Sequence, residues 1–90
     1  MGAVPRGYVL TEHASDVLKE RGISTEWVAA AILSPDRKDP DGEGKMHFIK
    51  RIHEFGDRWL RVIVNPTANP KRIVTAYFDR KLRREHETQG

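Results

Sequence analysis

Between Met46 and Val64 the chain reads MHFIKRIHEFGDRWLRVIV, and its apolar and cationic residues fall on opposite registers. Successive side chains of a β-strand point to opposite faces, so this parity constrains the fold directly. Even positions carry Met46, Phe48, Ile52, Leu60, Val62 and Val64, with Lys50 as a polar interruption. Odd positions carry His47, Arg51, His53, Trp59 and Arg61. One face of the sheet must be covered by other elements, while the other displays imidazole, guanidinium and indole groups. A one-residue slip would exchange the two. The pattern predicts a hairpin that pairs Met46–Phe55 with Arg58–Val64 through Gly56-Asp57.

The covering layer comes first in the chain. Leu10–Gly22 reads as a helix with Thr11 as N-cap, Glu12 in the first turn and Gly22 as the left-handed residue that ends it. Its apolar stripe is Leu10, Ala14, Val17 and Leu18. A second helix follows at once, with Ser24 as N-cap, a buried side of Trp27, Val28, Ala31 and Ile32, and Pro35 as its stop. Asp36–Lys45, all turn formers and charge, is expected to be an exposed loop. Asn65–Lys71 contains two prolines and must be a connection. Arg72–Phe78 is the next strand, with Val74, Ala76 and Phe78 on the covered side and Ile73, Thr75 and Tyr77 on the other. Tyr8–Val9 is long enough only for an added edge strand. Residues 79–90 are expected to begin as a helical turn and then fray. The expected fold is a single α+β domain over residues 1–90, with two N-terminal helices on one face of a three- to four-stranded antiparallel sheet.

Charge is distributed unevenly. The net charge is +3, yet Lys45–Arg61 holds five cations against two acids and Lys71–Arg84 holds six against one. A basic sheet with a basic tail is the asymmetry that nucleic-acid surfaces show. The chain has no cysteine, which excludes disulfides and thiolate–zinc sites and favours a reducing, cytoplasmic setting. No run approaches the length of a membrane span, and MGAVPRGYVL lacks the apolar stretch of a signal peptide. A membrane partner is not expected.

The uncovered register gathers His47, Arg51, His53, Trp59, Arg61, Thr75 and Tyr77. Cleaving RNA without a metal needs a base for the 2′-hydroxyl, cations for the charge on phosphorus, and a donor for the leaving 5′-oxygen. Histidine titrates near neutrality, arginine matches phosphate oxygens, and tyrosine donates or stacks on a base. A solvated polar sheet face accounts for the same residues without chemistry. His13 lies at the border of the first helix's apolar stripe, either as a packed boundary residue or facing the cationic strands from the rim. Trp59 is a cross-strand packing residue, a base-stacking platform or a partner anchor. Lys50, His53, Arg80, Lys81, Arg83 and Arg84 would extend the electrostatic footprint. His47 and His53 are six apart on one strand, roughly 20 Å by the usual rise, too far to share an ion. Asp39-Pro-Asp41-Gly-Glu43 lacks the length and ligand order of a calcium loop and reads as a solvated turn. No metal or cofactor is expected. A homodimer seam on the Trp59 face would shield Ile49, Trp59 and Ile73.

LTEHASDVLKERGISTEWVAAAILSPD at Leu10–Asp36, with FIKRIHEFGDRWLRVIVNP and RIVTAYFDRK, resembles a small bacterial family of unknown function. Its pattern is a histidine, then Glu-Arg-Gly-Ile-Ser, a helix ending in Pro-Asp, and strands; here these are His13, Glu20–Ser24 and Pro35-Asp36. That family is remotely similar to the RelE-like toxins and their barnase- and colicin-type relatives. The resemblance implies a small metal-independent endoribonuclease, RNA as substrate and a cognate antitoxin as partner. By residue type it implies a catalytic set of His13, His47, Arg51, Arg61 and Tyr77, with Lys50 also on the sheet. The rival expectation is a non-catalytic domain that uses the same face to bind protein or nucleic acid.

Overall fold

A computed structural model of the chain describes residues 4–82. Strand β1 (Tyr8–Leu10) leads into helix α1 (Glu12–Arg21), and helix α2 (Thr25–Leu33) follows. Strands β2 (Arg37–Pro40), β3 (Met46–Ile52), β4 (Arg58–Asn65) and β5 (Lys71–Phe78) complete the domain, with a 3-10 turn at His53–Phe55. The helix caps are where the sequence puts them, although Leu10, expected in the first helix, belongs to β1. The Thr11 hydroxyl accepts the Ala14 amide at 3.0 Å and itself donates to the Ile73 carbonyl at 3.1 Å. It thus caps α1 and ties that cap to β5. Gly22 has φ 65°, which an L side chain adopts only with strain, and lets the Ile23 amide return to the Leu18 carbonyl at 2.9 Å. The Ser24 hydroxyl accepts the Glu26 amide and starts α2.

The five strands form one mixed sheet in the order β1-β5-β4-β3-β2. β1 runs parallel to β5, and every other pairing is antiparallel. α1 lies over β5 and β1, and α2 lies over β4 and β3. Ala14, Leu18, Val28, Ala31 and Ile32 of the helices meet Phe48, Ile52, Leu60, Val62, Val64 and Ala76 of the sheet in one core. The covered side is therefore the even register of β3 and β4, as parity requires. Trp27, expected in the core, is half-buried at its margin. Its ring centroid lies 5.3 Å from that of Phe55 and 6.0 Å from that of Phe78.

Four expectations need correction. The sheet is five-stranded and mixed rather than antiparallel with three or four strands, because Tyr8–Leu10 joins it in parallel. The segment expected to be a loop over Asp36–Lys45 contains β2, paired in register from Arg37↔Ile49 to Pro40↔Met46. An edge strand needs only one side of its backbone bonded, so its charges and terminal proline are tolerated. β3 ends at Ile52 instead of Phe55, since His53–Phe55 coil into the 3-10 turn and Gly56 and Asp57 both take positive φ. Finally, Ile73 is not on the uncovered side. Ile63 pairs with Thr75 while Val64 pairs with Ile73, so Val74 is an extra residue that bulges the strand and turns Ile73 into the core at 0% exposure. No helix among the described residues is long and apolar enough to cross a membrane.

Candidate phosphate-binding site on the open sheet face

The strand registers lay out the face opposite the helices. β3 presents His47, Ile49 and Arg51; β4 presents Ile63, Arg61 and Trp59 directly opposite them. β5 adds Thr75 opposite Ile63 and Tyr77 opposite Arg61. Ile49 at the centre is only 1% exposed, so this face is partly covered. Leu82, in the turn after β5, is also buried.

Four polar side chains are joined across this face. Asp79 Oδ2 accepts Arg61 Nε at 2.9 Å, and Arg61 Nη1 lies 2.9 Å from His47 Nδ1. His47 Nε2 lies 3.3 Å from Asp41 Oδ2 in the turn after β2. A guanidinium has no lone pair to offer, so His47 Nδ1 must be the acceptor. The tautomer that satisfies both contacts carries its proton on Nε2 and donates it to Asp41. The row is thus polarised from Arg61 through His47 to Asp41. The Arg61 and Asp79 side chains are 15% and 12% exposed, enough shielding for the pair to hold its geometry.

Both carboxylates are anchored from their own turns. Asp41 accepts the Glu43 and Lys45 amides, and Asp79 accepts the Lys81 and Leu82 amides. The Glu43 amide is the main cause that holds the Asp41 carboxyl below its ordinary pKa; the Lys45 amide and His47 add to it against some desolvation. For Asp79, burial works against ionisation. The Arg61 hydrogen bond and charge and the two amides outweigh it together, and the pKa falls.

The expected site residues separate into groups. His47, Arg61 and Tyr77 come together. Arg51 is on the same face but diagonal to Arg61, about 7–8 Å away by ladder geometry. Its guanidinium carbon lies 5.7 Å from the Trp59 ring centroid, and its Nε is 3.9 Å from Asp57. His53, expected on this face, sits in the 3-10 turn with its ring 77% exposed and Nδ1 2.5 Å from Asp57 Oδ1. Lys50 belongs to the helix side, as its even position dictates, and its ammonium donates to the Ser34 carbonyl at 2.9 Å, just past the end of α2. His13 is exposed on α1, in the layer on the far side of the sheet from His47, so the two do not share a site. Arg80 and Lys81 are exposed beyond Asp79. Arg83 and Arg84 lie outside the described residues.

Reading the sequence missed Asp41 and Asp79. Asp79 continues the odd series Thr75, Tyr77 and could have been found by extending the alternation one step past the strand. Asp41 carries no such signal, because its place depends on β2 folding back beside β3. Among the described residues, no group of three or more His, Asp or Glu side chains gathers as a metal site.

A family model described as "Domain of unknown function (DUF4258)" matches residues 10–78, and the chain belongs to that family. No curated protein and no solved structure matches it.

Proposed function

We propose that this DUF4258 domain is a toxin-type endoribonuclease that cleaves RNA without a metal and is held inactive by an antitoxin bound over the same face. The reading is carried by the hydrogen-bonded row Asp41–His47–Arg61–Asp79 with Tyr77 opposite Arg61. Asp79 fixes Arg61 through Nε and leaves its Nη groups to turn toward a phosphate oxygen, where charge builds up in the reaction. Once Nη1 engages phosphate, His47 Nδ1 is released with its lone pair. It takes the proton of the 2′-hydroxyl while O2′ forms its bond to phosphorus. Asp41, accepting from Nε2, stabilises the imidazolium that results, as the carboxylate of a catalytic triad does. The P–O5′ bond breaks and the Tyr77 phenol protonates O5′, giving a 2′,3′-cyclic phosphate and a free 5′-hydroxyl. Proton return from the His47 imidazolium to the tyrosinate restores the starting state.

Purified protein incubated with RNA in EDTA should produce 2′,3′-cyclic phosphate ends. Arg61→Lys, which cannot span both Asp79 and a phosphate with a planar fork, should lower cleavage about 100-fold or more. Intact RNA after verified folding, together with no growth inhibition on expression, would remove the enzyme.

One observation favours the non-catalytic reading: the His47 lone pair is already occupied by Arg61. A domain that only binds RNA phosphate would keep that bond as a rigid support. It would lose affinity on charge reversal at Arg61, weaken steeply as salt rises, and never cleave.

A further inference from the structure

Arg61 and Trp59 project from the same face of β4, two residues and so about 7 Å apart. Trp59 is half-buried and stands opposite Arg51, whose guanidinium rests near the indole and is 43% exposed. An indole and a planar cation thus adjoin the phosphate site on the side away from His47. Ile49, directly opposite Arg61 on this face, is already buried within the chain, so what this part of the face offers is the indole and the guanidinium.

The geometry points to a base-stacking subsite formed by Trp59 and Arg51, with single-stranded RNA as its occupant. This rests on the reading that Arg61 receives an RNA phosphate, but not on cleavage. With one phosphate at Arg61, the neighbouring base of an extended strand reaches Trp59 and stacks on the indole or on the Arg51 plane beside it. Stacking of this kind accepts any base, because every base has a π-face. Duplex RNA is excluded, since its bases are already stacked on one another inside the helix.

The test uses the full chain with Trp27→Phe, which leaves Trp59 as the one indole of the two in the sequence. The probes are a 2′-O-methyl octauridylate, which has no nucleophile to be cleaved, inorganic phosphate, and a blunt RNA duplex. The octamer should quench Trp59 emission and phosphate should not. Trp59→Ala should weaken octamer binding about tenfold without changing phosphate affinity, and Trp59→Tyr should restore it. Octamer binding without quenching, unchanged affinity in Trp59→Ala, or equal affinity for the duplex overturns the subsite. So does shielding of Trp59 that grows with protein concentration alone, which would mark a face between two copies. Quenching with no cleavage of ordinary RNA supports the subsite and removes the nuclease, so the two failures are told apart.

Discussion

His47 and Arg61 owe their arrangement to donor and acceptor chemistry more than to charge. Arginine can only donate, so the histidine between it and Asp41 has one allowed tautomer, and nitrogen NMR should find the proton on Nε2. At the other end of the row, Asp79 is ionised more readily in the folded chain than in the unfolded one. A depressed carboxyl pKa stabilises the fold above the unfolded value, and that stabilisation is lost as pH falls through the folded value. The window is therefore acidic, below about pH 4. Asp79→Asn should be less stable than the parent at pH 7, and the gap should narrow between pH 4 and 2 in denaturant titrations. A gap independent of pH would show that the side chain acts by packing alone.

At the level of elements, both helices and the two long central strands could be read from the chain because local rules decide them. Thr11, Gly22 and Ser24 mark helix ends by their own chemistry, and alternation fixes β3 and β4 without reference to anything distant. Thr11 does more than cap, since its hydroxyl also donates to the Ile73 carbonyl. Thr11→Ala should cost about 1–2 kcal/mol in chemical denaturation, at the upper end for an N-cap. β2 was illegible because Arg37–Pro40 has no apolar residue; only its neighbour β3 makes it a strand. The same dependence hid Asp41. The bulge at Val74 was illegible for the opposite reason. Its local alternation looks regular, and only the need to bury Ile73 beside Leu10 and β1 breaks it.

Across the described residues the molecule has one thick core under the helices, and Ile49 is buried on the far side of the sheet. Parity foretold the side chains that share this second face, His53 and Ile73 excepted, yet it also suggested that the face lies bare. Ile49 shows that it does not. Ile49→Ala should destabilise the domain by about 2–5 kcal/mol, as for a core position, and calorimetry should register a correspondingly large drop in Tm. A change within about 0.5 kcal/mol would mean an ordinary surface residue.

Val74 lets two halves of β5 obey different phases. Its first half is locked to β1 and to the Thr11 cap through Ile73, and its second half sets Tyr77 against Arg61. Ironed flat at the same length, the strand would have to choose: either Ile73 swings out into water, or Tyr77 and Asp79 rotate toward the helices. The spare residue works like a comma in the strand, allowing one uninterrupted segment to serve a structural clause and a chemical one at once.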